Sequence, residues 1–388
     1  MKMTSRQRVQ AAMDLQRPDR IPLMCQFSIG AMMHQLKPSS PVQFWYDAQS
    51  FADGLITLRE RFNFDGILIS LHGHSPDWQK NIRSIKEIEP GKQEVVFDDR
   101  VEIHSWDDLP LVRFHQKEEP KLISDIDIAR DVPSVIDYIP VSQDLHFRLD
   151  KDDLFDIYHY IRFMVGDKYS LHAEITSPFD YLLDLLGCQN ALISLMMDPD
   201  KCKDILQKYT DALSVLADEM SRCDIDAVKI SSPFAGMGFI SADHYAEFVL
   251  PYERQIIKAI RDNGKHVYIH TCGCISDRLE LMRETGAGGL ECLDPEPIGN
   301  VDLADAFNRI GDTMFIKGNI DSVNTLLYAN DEKARNDVLR IMEIGEKNKG
   351  FILSTACSIA PMVSTGRINM LSQLIDERNN NQKNNLLK

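Results

Sequence analysis

The chain has 388 residues, 44% of them apolar and 26% charged, enough to bury one large core or two of ordinary size. Its formal net charge of −16 argues against a nucleic-acid partner or an anionic membrane surface. No run approaches the ~18 apolar residues of a membrane span. The opening Met1-Lys2-Met3-Thr4-Ser5-Arg6 leads into an amphipathic stretch, not the apolar core of a signal peptide, which places the chain in the cytoplasm.

Residues 4–15 read as a helix capped by Thr4 or Ser5. Arg17-Pro18-Asp19-Arg20-Ile21-Pro22 is a turn into the apolar run 21–27, the first strand candidate. Seven more short apolar runs follow, at residues 65–70, 170–175, 226–232, 266–271, 288–293, 314–319 and 351–356. Helical patterns at 41–62, 199–222, 241–262, 275–285 and 331–347 lie between most of them. Eight strands alternating with helices predict a (β/α)₈ TIM barrel. A doubly wound open sheet is the alternative; it would carry a glycine-rich turn after its first strand, and Phe27-Ser28-Ile29-Gly30-Ala31 is not one.

Residues 76–150 break the rhythm. Residues 84–89 and 93–97, joined by Pro90-Gly91-Lys92, predict a β-hairpin, with a proline-containing polar loop after it. The whole chain, 1–388, reads as a single barrel with this insertion after its second strand. An insertion there falls at the catalytic mouth, as a lid or a docking segment. The Asn/Lys-rich tail, 379–388, is expected to fray.

The eight cysteines, in a chain with no export signal, read as free or metal-bound thiols, with Cys202 and Cys223 as core residues of helical patterns. The sharpest local feature is Val267-Tyr268-Ile269-His270-Thr271-Cys272-Gly273-Cys274. His270 and Cys272 are two apart at a strand end, so their side chains point the same way, toward the rim where barrels keep their chemistry. Cys357 ends the last strand candidate, three βα units later. One imidazole and two thiolates form a soft set that favours zinc, and three protein ligands leave a position open for substrate. A core histidine beside core cysteines would use the same residues. Glu291, at the end of the sixth strand candidate, is read as a fourth, exchangeable ligand with a catalytic role, or as a plain polar rim residue. Cys274 and Cys292 are reserve ligands; Cys274 falls in the loop past the strand and Cys292 is expected to face away from Glu291.

Over nearly its whole length the chain resembles the uroporphyrinogen decarboxylase superfamily. The resemblance is carried by Arg17-Pro18-Asp19-Arg20-Ile21-Pro22, Thr176-Ser177-Pro178-Phe179-Asp180, Leu186-Gly187, Asp198-Pro199, Asp226-Ala227-Val228-Lys229-Ile230-Ser231-Ser232-Pro233, Phe248-Val249-Leu250-Pro251-Tyr252, Gly318-Asn319-Ile320-Asp321 and Ile352-Leu353-Ser354-Thr355-Ala356-Cys357. It implies a (β/α)₈ barrel. Within the superfamily the His-x-Cys with a distant Cys is similar to the corrinoid-linked methyltransferase branch, which implies catalytic zinc on His270, Cys272 and Cys357. The decarboxylases carry an arginine-rich segment just after the first strand; Gln26-Phe27-Ser28-Ile29-Gly30-Ala31-Met32-Met33-His34 has no arginine to clamp propionates. His72 and His74 stand where decarboxylases carry a catalytic Asp; they are candidates to contact substrate or corrinoid, with a plain rim position as the alternative.

These readings predict a zinc methyltransferase exchanging a methyl group between a corrinoid and a small donor or acceptor such as a thiol, pterin, methyl ether or amine. The corrinoid would sit on a separate protein, since the sequence has no Asp-x-His-x-x-Gly motif. A homodimer is compatible. Asp180 is a further catalytic candidate, or a helix cap, and Tyr181 a further pocket residue. The rival functions are a metal-free decarboxylase of the same fold and a non-catalytic module that binds a corrinoid protein.

Overall fold

The computed structural model describes residues 2–386 except 73, 75, 76, 117–119, 142–144, 150, 151 and 153, with side chains through 381. Seven parallel strands run side by side in chain order: Gly66–Ile69, Ser170–Thr176, Ala227–Ser231, His266–Thr271, Gly289–Cys292, Phe315–Ile320 and Phe351–Thr355. The eighth stave is the stretch 22–27. Leu23 bridges Leu353 and Phe27 bridges Ile359, both in parallel, while the Asp65 amide donates to the Leu23 carbonyl at 2.7 Å. The sheet therefore closes as a (β/α)₈ barrel, at the strand positions expected from the apolar runs. Pro22 supplies no amide there, so the first stave is held by isolated bridges and not by a regular ladder.

Closure is reinforced by charge. The first helix, Ser5–Met13, is held by a capping box in which Thr4 and Gln7 satisfy each other's backbone amides. It lays Arg8 under the barrel, where the guanidinium donates to Asp65 at 2.7 Å and to Asp19 at 2.6 Å. Asp65 is fully buried and also accepts from Arg20 at 3.0 Å and from the Leu23 amide at 2.9 Å. Removing one partner of such a buried group costs about 3–5 kcal/mol, because a charge is stranded in the core.

The helical patterns are divided more finely than expected. Residues 41–62 form two helices, Pro41–Tyr46 and Ala48–Phe62, because Asp47 takes an extended conformation and caps the second through the Ser50 amide. Ala242–Phe248 and Leu250–Asp262 likewise split at Val249. Ile29–Leu36 is a helix the sequence reading passed over. The last helix, Thr365–Leu386, runs through the tail expected to fray. Among the described residues, no helix is long and apolar enough to cross a membrane.

Of the segment 76–150, the described part holds more than a hairpin. Ser84–Glu89, Lys92–Val96, Arg100–Ser105 and Leu111–Phe114 form a four-stranded antiparallel sheet, and Tyr138–Pro140 pairs with His146–Arg148. The third strand hides from apolar patterning because its inward face carries Glu102 and His104, which bond each other at 2.8 Å. Tyr46 donates to the same carboxylate at 2.8 Å, so the buried charge is satisfied.

Candidate metal centre at the barrel mouth

His270 ends the strand His266–Thr271, and Cys272 follows two residues on. Gly273, at φ +77°, turns the chain away immediately after it, a conformation that favours glycine. Asp294 fixes this turn by accepting from the Gly273 amide at 2.7 Å. Cys357 follows the strand Phe351–Thr355, and barrel curvature brings it across to the same spot.

The three side chains meet. His270 Nε2 lies 3.3 Å from Cys272 Sγ, and Cys272 Sγ lies 3.7 Å from Cys357 Sγ. Their ligand atoms all fall within 4.8 Å of one another. A zinc with sulfur at about 2.3 Å and nitrogen at about 2.0 Å in tetrahedral array would set sulfur–sulfur and nitrogen–sulfur separations near about 3.8 and about 3.5 Å. The donor set thus fits a single zinc ion in chemistry and in spacing.

Glu291 does not join that triangle, contrary to its expected place as a fourth ligand. Parallel pairing puts it beside His270 on the neighbouring strand, so both side chains point into the barrel. Its carboxylate accepts from His270 Nδ1 at 2.8 Å, on the side of the ring away from the sulfurs. A carboxylate there fixes the ring orientation and leaves Nε2 for a metal. Glu291 is itself ion-paired to Lys317, with Lys229 Nζ 3.8 Å away. Lys229 donates to Glu174 and to Gln26, each at 2.7 Å. Two lysines and two glutamates, all inward on adjacent strands, therefore fill the upper barrel with balanced charge.

Electrostatics follow from these contacts. Burial would lower the His270 pKa, but the Cys272 charge and its hydrogen bond, with help from Glu291, raise it to about 9. The neighbouring Cys292 and Cys357 thiols hold Cys272 far below the usual thiol range, against burial and with the His270 charge assisting. Cys357 keeps its proton, because it donates to Cys272 and is buried. Burial would raise Glu291, but Lys317 and Lys229 hold it well below the usual carboxylate range. Without metal, the centre is thus an imidazolium–thiolate pair beside a neutral thiol.

The mouth opens into a cavity of about 530 Å³ lined by His270, Cys272, Cys357, Asp180 and Glu174 at its polar end. Asp180 is not the cap of its helix. Ser177 is, accepting from the Asp180 amide at 3.2 Å, while its hydroxyl donates to the Asp180 carboxylate at 2.5 Å. Burial pushes the Asp180 carboxyl up to about 8. Segment 76–150 contributes Asp108, Leu109, Ile139, Pro140, Val141 and Phe147 to the lining.

Three other candidates lie elsewhere. His72 and His74 are not at the mouth: they pack with Trp45, Phe51 and Phe147 behind the wall, and His72 Nε2 bonds the Trp45 carbonyl at 2.6 Å. Their strand ends at Ile69, so the chain has already turned outward under segment 76–150. Tyr181 is fully buried and donates to the Tyr138 carbonyl at 2.7 Å, away from the cavity. Cys292 does not turn away from the site. Its φ of +85°, strained for a side-chain-bearing residue, folds its thiol back within 4.8 Å of Cys272, where it donates to Asp294 at 3.1 Å. Cys274 stays half-buried in the loop, outside both donor groups. Lys229, Lys317, Glu174 and Asp294 were missed by sequence reasoning. The available signal was a lysine in mid-strand, in Ala227-Val228-Lys229-Ile230 and Phe315-Ile316-Lys317-Gly318, where a barrel strand otherwise buries apolar side chains.

Comparison with known proteins agrees with this architecture. A methyltransferase from Methanosarcina mazei superposes with a TM-score of 0.71 at 18% identity, covering 97% of this chain and 99% of that one. Among curated relatives, the uroporphyrinogen decarboxylase of Chlorobium phaeovibrioides is 28% identical over 67% of this chain and 72% of its own length. That of Chlorobaculum tepidum is 26% identical over 51% of this chain and 56% of its own. The methylcobamide:CoM methyltransferase MtbA of Methanosarcina acetivorans is 25% identical over 44% of this chain and 45% of its own. The chain thus spans only about half the length of two of these three curated relatives. The profile of the family described as Uroporphyrinogen decarboxylase (URO-D) matches residues 111–378, more than half of the sequence. On that match, and on a barrel whose strands run in the expected order, the chain belongs to the uroporphyrinogen decarboxylase family.

Proposed function

We propose that this chain is a zinc-dependent methyltransferase that exchanges a methyl group between a corrinoid, carried by a separate protein, and a small molecule bound at the barrel mouth. The observation that carries the reading is the His270–Cys272–Cys357 triangle, open to a cavity of about 530 Å³. Its three soft donors are one short of a closed structural site, which is the pattern of a catalytic zinc. The methylcobamide:CoM methyltransferase among the relatives supports the same chemistry.

Zinc bound there would supply a Lewis acid at its fourth position and would keep both sulfurs as thiolates. The chain's own residues do the rest. Glu291 holds the His270 ring through Nδ1, and Lys317 and Lys229 hold Glu291 ionised. Asp180 keeps a proton at neutral pH inside the same cavity, where a leaving heteroatom that departs with the bonding electron pair would need one. Leu109, Ile139 and Phe147 close one wall against water, the role expected of a lid.

The test is a methyl-transfer assay with methylcobalamin and a panel of thiols and pterins, run beside a metal analysis of protein purified without added metal. About one zinc per chain is expected. Cys357→Ala should abolish transfer while leaving binding to a corrinoid protein intact. Unchanged turnover in that variant removes the catalytic role, and metal-free protein with decarboxylase activity returns the chain to the other branch of its family.

A further inference from the structure

Resting on the methyltransferase reading, we infer that the cavity takes an uncharged methyl carrier with an apolar body, and not an anionic thiol, a carboxylate-bearing pterin or an ammonium ion.

Among the described residues, no lysine or arginine lines the cavity. The two cations beneath it are fully enclosed and already committed: Lys229 to Glu174 and Gln26, Lys317 to Glu291. Zinc with two thiolates would be neutral as a unit, and the two lysines cancel the two glutamates. An entering sulfonate or carboxylate would lose its water without gaining a counter-charge.

The carboxylates offer a cation little more. Glu174 and Glu291 are ion-paired, and Asp180 shares its carboxylate with the Ser177 hydroxyl. Burial pushes Asp180 up to about 8, which keeps it neutral as well. Among the described residues, only Asp108 reaches the wall as an exposed carboxylate, and it accepts from the Leu109 amide at 2.7 Å.

Beyond the uncharged polar side chains of Gln26, Ser28, Ser70, Thr176, Ser231 and Ser358, the wall is largely hydrocarbon. Phe27 comes from the first stave and Phe234 from a barrel loop, and Leu109, Ile139, Val141 and Phe147 from segment 76–150. Such a surface favours an apolar body, with one heteroatom directed at the cysteine–histidine end. Segment 76–150 therefore sets specificity: it brings apolar side chains and no cation among those described.

The test compares three molecules of nearly equal shape: p-methoxybenzyl alcohol, p-methoxybenzoate and p-methoxybenzylammonium. Binding to the full chain is measured by calorimetry, with metal content determined on the same sample. The neutral alcohol is expected to bind at least about tenfold more tightly than either ion. Val141→Arg should reverse the order in favour of the benzoate. Equal or tighter binding of either ion to the unmodified chain overturns the inference, as does absence of saturable alcohol binding at millimolar concentration. Zinc-containing protein that prefers an ion fails this inference alone; zinc-free protein fails the methyltransferase reading, whichever ligand it prefers.

Discussion

Two groups of buried histidines differ in what surrounds them and not in how deeply they lie. His270 is 4% exposed and His72 2%. The first has Glu291 at one ring nitrogen and the Cys272 sulfur at the other, and its pKa is raised to about 9. The second has a backbone carbonyl at Nε2, no hydrogen-bond partner at Nδ1 among the described residues and aromatic rings around it; burial lowers its pKa to about 4. His74 is lowered too, first by burial and then by the His72 charge. A histidine becomes a metal ligand when an acid orients one nitrogen and soft donors surround the other. Otherwise it is a polar ring filling an apolar space, at a cost once protons are plentiful.

Exchanging the roles is the strongest way to break this comparison. His270→Ala should cut bound zinc from about one per chain to less than about a tenth of that, whereas His72→Phe should leave metal content unchanged. If His72→Phe also emptied the site, the two groups would not be separate.

A second difference is in acid. The folded state holds His72 neutral down to about pH 4, whereas in the unfolded chain it takes up a proton from about pH 6.5 downward. The unfolded state therefore binds more protons across that window, and stability falls as pH drops through it. A shift of this size corresponds to about 3 kcal/mol, fully lost by about pH 4. Urea titrations at pH 7 and pH 4 should show His72→Phe losing about 3 kcal/mol less than the unmodified chain; equal losses would contradict the assignment.

The oriented nitrogen gives a smaller effect. Glu291→Gln keeps the shape but removes the charge that orients His270 and pairs with Lys317. Zinc affinity should fall about 10- to 100-fold in a competition assay with a chelator, without loss of stoichiometry. An unchanged affinity would reduce Glu291 to a counter-ion for the lysines.

The least conspicuous effect is a proton count. Near pH 7.5 the metal-free centre carries one proton on His270, whose pKa is about 9, and one on Cys357, which is raised further, while Cys272 has none. Zinc must displace both, so one from His270 plus one from Cys357 gives two protons released. Calorimetry in two buffers of different ionisation enthalpy reads that number, and a value near zero would mean that the metal binds elsewhere.

Much of this architecture could be read from the sequence, for local reasons. Short apolar runs marked the barrel strands because both faces of a parallel strand are buried. Two-residue spacing put His270 and Cys272 on one side of a strand end, and Cys357 stood at the end of another. What stayed hidden depends on neighbours. The position of Glu291 follows from its register with His270, 21 residues away, which no local pattern carries. Lys229 and Lys317 went unread inside apolar runs because their counter-charges sit on other strands. Arg100–Ser105 gave no strand signal because its buried face is Glu102 and His104. Cys292 was assigned to the wrong side because strand alternation fails where φ becomes positive.

X-ray absorption at the zinc edge, on protein purified without added metal, tests the central claim most directly. The proposed zinc centre predicts one zinc with two sulfur neighbours at about 2.3 Å and nitrogen or oxygen neighbours at about 2.0 Å, and a single sulfur in Cys357→Ala. A shell of oxygen and nitrogen alone, or no zinc at all, would contradict it.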